Sequence, residues 1–116
     1  MGPFIETVDQ FKLLVSSTAT GGRPLVVNFT DGKGSFVDQV FEARAADYPQ
    51  LYLKMCNGDA CAEVAEEAKV SECPAILVFM GGSEVHRVDQ IDSGEDLTDC
   101  LNMAKDMIST QDIEAN

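Results

Sequence analysis

The stretch 23–48 constrains the fold of this chain more than any other. It begins with a mostly apolar run at 24–30, continues through a glycine-rich turn at 31–35, and ends in an amphipathic segment at 36–48. This order predicts a buried strand, a short loop and a helix. In an open α/β sheet, sites form beyond the carboxyl end of such a strand. The turn that follows this strand contains neither cysteine nor histidine, so the usual catalytic groups are missing where a site is expected.

The remaining apolar periodicities complete a pattern of alternating strands and helices. Thr7 and Gln10 form a capping-box signature for the first helix, and Gly81 and Gly82 form a two-residue hairpin turn. Crossovers between the early strands imply parallel pairing, whereas the hairpin implies an antiparallel pair. The expected strands lie at 4–5, 25–29, 51–55, 75–79 and 84–88, and the expected helices begin at Thr7, Ser35, Asp59 and Ser93. Residues 1–109 then form one α/β domain, and residues 110–116 form a polar, flexible tail.

The charge of the chain restricts its partners. The net charge is −12, from 20 acidic and 8 basic residues, so nucleic acids and anionic membranes are not expected to bind. We attribute the excess acid to solubility, with steering toward a basic partner as the alternative. No run approaches the roughly 18 apolar residues of a membrane span, and the N-terminus has no export signal. A cytoplasmic location is therefore expected.

The chain contains four cysteines, Cys56, Cys61, Cys73 and Cys100. No two of them form a C-x-x-C motif, and His86 is the only histidine, so neither a metal site nor a cofactor is expected. A chain of this length does not need disulfides, and we expect reduced thiols. Cys61 and Cys100 lie on apolar helical faces and are predicted to be core residues. A Cys56–Cys61 disulfide across the intervening turn remains an open alternative.

The pattern resembles the thioredoxin superfamily over nearly the whole chain. The residues that carry the resemblance are 26–29, 46–49, 64–65 and 74–82. The resemblance implies a three-layer α/β/α sandwich, with a mixed central sheet of four to five strands flanked by four helices. It also implies a cis peptide bond before Pro74. Within the superfamily, Asp31-Gly32 and residues 45–49 are most similar to the thioredoxin domain of phosducin-like proteins.

Three departures from the thioredoxin pattern concern its redox site. The family places two cysteines, two residues apart, at the start of the second helix, and this chain has residues 31–34 there, Asp-Gly-Lys-Gly. The family's buried aspartate is replaced by Asn28, a neutral amide that costs less to bury. Tryptophan is absent from the chain. The resemblance therefore implies a protein without dithiol-disulfide oxidoreductase activity, and we do not expect an enzyme.

The expected function is that of a redox-inactive, thioredoxin-like module that binds a protein or an extended peptide, as an adaptor or a chaperone cofactor. Backbone groups beside a cis-proline can pair with an extended strand. The predicted binding residues are Asp31, Gly32, Lys33, Gly34, Cys73, Pro74, Gln90 and Ile91. One alternative is a monothiol redox protein or thiol sensor acting through Cys73. Another is a structural domain of a larger assembly, and the oligomeric state is left open.

Overall fold

Helices and strands alternate along the chain. The computed structural model describes residues 4–20, 23–32, 36–58, 60–89 and 94–115, of which 108–115 are described by their backbone only. The helices are α1 (Val8–Ser17), α2 (Phe36–Arg44), α3 (Ala62–Glu67) and α4 (Gly94–Ala115), with 3-10 turns at Thr18–Thr20 and Ala45–Asp47. The strands are β1 (Leu25–Thr30), β2 (Tyr52–Asn57), β3 (Ala75–Met80) and β4 (Ser83–Asp89).

The four strands form one mixed sheet in the order β2-β1-β3-β4. β1 runs parallel to β2 and antiparallel to β3, and β3 and β4 form the predicted antiparallel hairpin. Gly81 and Gly82 turn that hairpin with φ angles of +67° and +86°, which glycine adopts without steric cost. Phe4 adds a single parallel bridge to Met55 on the outer strand. The expected mixed sheet flanked by four helices is thereby confirmed.

Each face of the sheet carries its own apolar core, which makes three layers. Val26 and the other even-numbered residues of β1 face α2 and α4, whereas Val27 and the other odd-numbered residues face α1 and α3. Phe29 is fully buried on the α1/α3 face, and burial of a side chain of this size contributes about 1.5 to 3 kcal/mol. Phe11 of α1 packs edge-to-face on Phe29 and Phe79, with ring centroids 6.3 Å and 5.4 Å away. β1 and β3 are covered on both faces, as their mostly apolar sequences predict.

Local signals placed some helix ends correctly and missed others. The Thr7 capping box is confirmed, because the Gln10 backbone N–H donates to Thr7 Oγ1 over 3.1 Å and Gln10 Oε1 accepts from the Thr7 N–H. The predicted cap residues Ser35, Asp59 and Ser93 lie outside the described residues. α3 begins only at Ala62, after Cys61.

The last helix is longer than predicted. It runs to Ala115 and therefore includes residues 110–115, which the sequence analysis assigned to a tail. No glycine or proline follows Gly94, so nothing in the local sequence breaks the helix. In the described part of the chain, none of the helices is both long enough and apolar enough to span a membrane.

Candidate functional site

Three chain segments meet at one edge of the sheet. β1 ends beside the start of β3, since Phe29 pairs with Ala75, and the parallel strand β2 ends at the same level. We call this the site edge, comprising residues 30–32, 57–58 and 73–74. The peptide bond between Cys73 and Pro74 is cis. The fold thus gathers loop residues from distant parts of the sequence at the position where the turn after β1 was predicted to form a site.

The structure brings together half of the predicted binding residues. Asp31 and Gly32 follow β1, and Cys73 and Pro74 precede β3, all on the site edge. Asp31, Cys73 and Pro74 are half-buried and Gly32 is exposed. The other four, Lys33, Gly34, Gln90 and Ile91, lie outside the described residues.

Gly32 lies close to Asn57, the last residue of β2. Its φ is +80°, and a Cβ atom built on it would lie 2.3 Å from Nδ2 of Asn57. Asn57 is itself held in place, because its Oδ1 accepts the backbone N–H of Ala60 over 3.1 Å. A side chain at position 32 would therefore be strained in its backbone and would collide with Asn57.

Beneath the site edge lies a buried polar network centred on Asp38 of α2. Asn28 Nδ2 donates to Asp38 Oδ1 over 2.9 Å, and the Thr30 hydroxyl donates to Asp38 Oδ2. The Gly32 backbone N–H donates to Thr30 Oγ1 over 3.0 Å, which connects the network to the exposed loop. Asp38 is only 5% exposed, and Asn28 is fully buried. Within the described residues, Asn28 Oδ1 has no hydrogen-bond partner.

The network includes a residue that the sequence analysis does not single out. Asn28 is a buried neutral amide, and Asp38 of α2 places a buried carboxyl group beside it. A signal was present in the strand, where Asn28 and Thr30 alternate on one face of an otherwise apolar run. Buried polar groups require partners, so this face of β1 requires a polar residue on the helix that covers it.

Three thiols gather on the α1/α3 face beside the site edge. Cys56 is fully buried, and Cys61 and Cys73 are half-buried against the same core. Burial, with smaller contributions from the charges of Cys61 and Cys73, raises the pKa of Cys56 to about 12. Cys73 Sγ lies 3.0 Å from the point where a side chain on Gly58 would begin. The sequence indicated that Cys56 and Cys61 could meet across a turn, but it gave no sign that Cys73 joins them, because Cys73 comes from the loop before β3.

The fourth thiol, Cys100, is buried on the opposite face among α2 and α4, as predicted. Burial raises its pKa to about 11. All four cysteines are thiols rather than disulfides, so the Cys56–Cys61 bridge does not form in this structure. Among the described residues, no three acidic, histidine or cysteine side chains are arranged to hold a metal ion.

Comparison of sequences shows which proteins the chain is related to. It is 31% identical over 88 residues to thioredoxin of Chlamydia pneumoniae, a match covering 74% of this chain and 86% of that protein. It is 30% identical over 76 residues to thioredoxin-2 of Saccharomyces cerevisiae, covering 63% of this chain and 73% of that protein. No family model matches the sequence.

Comparison of structures agrees with the sequence relationship. The thioredoxin of Fasciola hepatica superimposes with a TM-score of 0.76 at 20% identity, over 89% of this chain and 99% of that one. Oxidised mitochondrial thioredoxin 3 of Saccharomyces cerevisiae gives a TM-score of 0.72 at 16% identity, over 85% and 92%. At these identities the likeness shows the fold alone. Together with the chlamydial relative, it establishes that the chain belongs to the thioredoxin family.

Proposed function

We propose that this protein is a redox-inactive member of the family, a module that binds an extended segment of another protein at the site edge. It serves as an adaptor or chaperone cofactor and does not reduce protein disulfides. The sequence relatives are thioredoxins by name, so the proposal is that this chain has kept their fold and lost their dithiol chemistry.

The observation that carries the proposal is the combination of a gathered site edge with a missing pair of thiols. Dithiol exchange needs two neighbouring cysteines, one of them activated as a thiolate. The chain has Asp31 and Gly34 where those cysteines are expected, and it has no C-x-x-C motif. The edge nevertheless presents Asp31, Gly32, Cys73 and Pro74 from two adjacent strands. Loop backbone beside a sheet edge is suited to pairing with an extended peptide.

Partner class and location follow from the same reasoning. The net charge of −12 argues against nucleic acid and anionic membrane as partners and favours a protein segment. A reducing compartment such as the cytoplasm suits a chain whose cysteines are thiols. The narrower resemblance to phosducin-like thioredoxin domains belongs to this proposal as well.

Peptide selection followed by a binding measurement tests the proposal. Random peptides displayed on phage are selected on the full chain under reducing conditions, and a selected peptide is synthesised for calorimetry and for NMR titration of the ¹⁵N-labelled protein. We expect amide shifts to concentrate at residues 30–32, 57–58 and 72–75. The Lys33→Ala/Cys73→Ser double variant should weaken binding, by about tenfold for a loss of 1.4 kcal/mol.

A matched control lies elsewhere on the surface. Leu13 of α1 is 72% exposed and borders an apolar hollow of about 340 Å³ with Phe4 and Tyr52. Leu13→Ser should leave binding of the selected peptide unchanged. Shifts that concentrate at this hollow, or equal affinity of the wild type and the double variant, would show that the site edge is not the binding surface.

A further inference from the structure

Two half-buried cysteines, Cys61 and Cys73, lie beside the end of β2, although they come from different parts of the chain. The Cys61 backbone N–H donates to the Asn57 carbonyl over 2.8 Å, which holds Cys61 against the end of β2. Cys73 Sγ lies against Gly58, the residue after Asn57. A Cβ atom built on Gly58 would lie 3.0 Å from this sulfur. Both cysteines also pack against the apolar core to which Cys56 belongs.

The three thiols of this cluster differ in access. Cys56 is 0% exposed, on the buried side of β2 where it pairs with Phe29. Cys61 and Cys73 lie at the border of the core and are half-buried. Disulfide exchange requires an attacking sulfur to reach its target in line. The half-buried thiols of Cys61 and Cys73 are therefore better suited than that of Cys56 to react with a molecule from solution.

We propose that Cys61 and Cys73 form a reversible modification site that is oxidised by small-molecule disulfides of the glutathione type. The Cys73 thiolate attacks one sulfur of glutathione disulfide. A Cys73–glutathione disulfide forms, and one glutathione leaves as a thiolate. The Cys61 thiolate then attacks Cys73 Sγ, the Cys61–Cys73 disulfide forms, and the second glutathione leaves. The two thiol protons pass to the two departing thiolates, so the protein loses two electrons and glutathione disulfide gains them.

This site differs in position from the dithiol site of the family. The proposed disulfide joins the start of α3 to the loop before β3, and no residue at the start of α2 takes part. The proposed oxidation does not depend on peptide binding, since it is detected as a disulfide or a glutathione adduct on the cysteines. Peptide binding under reducing conditions, as proposed above, succeeds or fails separately from it.

The test is mass spectrometry of the full chain after incubation with glutathione disulfide. Trypsin cleaves after Lys54 and Lys69, which leaves Cys56 and Cys61 on one peptide and Cys73 on another. A second cleavage before Asp59 separates Cys56 from Cys61. We expect a peptide linked through Cys61 and Cys73 in the wild type. Cys61→Ser should lose this link and retain glutathione on Cys73, and Cys73→Ser should lose both.

Cys100→Ser is the control variant, because Cys100 lies on the opposite face of the sheet, and it should behave as the wild type. Circular dichroism checks that each variant folds, and Cys61→Ala and Cys73→Ala replace any serine variant that does not. A link between Cys56 and Cys73, a glutathione adduct that persists on Cys73 of the wild type, or unmodified thiols would each overturn the proposal.

Discussion

The Asn28 side-chain amide donates a hydrogen bond of 2.9 Å to Oδ1 of Asp38, and both residues are buried beneath the site edge. This hydrogen bond joins β1 to α2, the helix that follows the loop after β1. Thr30 donates to the other carboxyl oxygen and accepts the Gly32 N–H, so the loop is tied to the same group. The buried carboxyl group of Asp38 therefore supports the loop through Thr30 and Gly32.

Removal of the Asp38 carboxyl group should destabilise the protein. In Asp38→Ala, Asn28 Nδ2 and the Thr30 hydroxyl lose a buried acceptor, and an unsatisfied buried polar group costs about 1 to 3 kcal/mol. We expect a loss of at least about 2 kcal/mol in the free energy of unfolding, measured by urea denaturation. Glu42→Ala, an exposed acidic residue of the same helix, serves as the control. Equal stability of the two variants would contradict a structural role for the network.

Replacement of Gly32 by alanine should lower the stability of the protein more than replacement of Gly81 by alanine. Both glycines have positive φ angles, +80° and +67°, so the backbone penalty of about 1 kcal/mol is shared. Only at Gly32 does the new Cβ meet another residue, Asn57, whereas nothing lies within 4 Å at Gly81. Gly32→Ala should therefore unfold at a lower urea concentration than Gly81→Ala. Asn57→Ala should bring the two glycine variants closer together, and failure to do so would show that the predicted collision is absorbed elsewhere.

The four thiols should react with iodoacetamide in two groups. Burial raises the pKa of Cys56 to about 12 and that of Cys100 to about 11, so both stay protonated and covered in the native protein. Cys61 and Cys73 should be labelled first, and the other two only in urea, as read by peptide mass spectrometry. Because the raised pKa values favour the neutral thiols, stability from these two groups is present below the ordinary value of 9.0 and is lost as pH rises above it. Native labelling of Cys56 would disprove this ordering.

The ion pair of Glu84 with Arg87 should give a pH-dependent contribution to stability. Arg87 donates two hydrogen bonds to this carboxylate, of 2.9 and 2.7 Å, and these bonds lower the pKa of Glu84 below its ordinary 4.5. The contribution is therefore present above pH 4.5 and is lost as pH falls through the lowered pKa. Glu84→Gln should cost up to about 1 kcal/mol near pH 7.

Comparison of stability at neutral and acidic pH checks this prediction. The difference between wild type and Glu84→Gln should shrink in acid, while Glu63→Gln, exposed on α3, should show little difference at either pH. A difference that is unchanged in acid would mean that the glutamine affects packing rather than charge. Arg87 also donates to the Ala68 and Lys69 carbonyls, so it stays anchored to the end of α3 in either case.

The layers of the fold were predictable because their signals are local. Mostly apolar runs predicted β1 and β3, the Gly81-Gly82 pair predicted the hairpin, and Thr7 with Gln10 predicted the first cap. The end of α4 was missed, since a polar sequence without a helix breaker is compatible with both a helix and a frayed tail.

The site was only partly predictable because its groups meet through tertiary structure. Asp38 follows an apolar residue of an amphipathic helix, and helical periodicity alone does not distinguish a buried acid from an exposed one. Cys56 lies near the end of β2, and Cys73 lies in the loop before β3. Their approach depends on how β2 and β3 flank β1, which no local pattern encodes.

Reduction of insulin disulfides tests the central claim most directly. The full chain is assayed with dithiothreitol as reductant, with the thioredoxin of Chlamydia pneumoniae as positive control and Cys73→Ser as the matched variant. The account predicts that wild type and Cys73→Ser both leave the rate at the level seen without protein. A rate raised by the wild type and abolished in Cys73→Ser would contradict it and would show that this chain reduces protein disulfides.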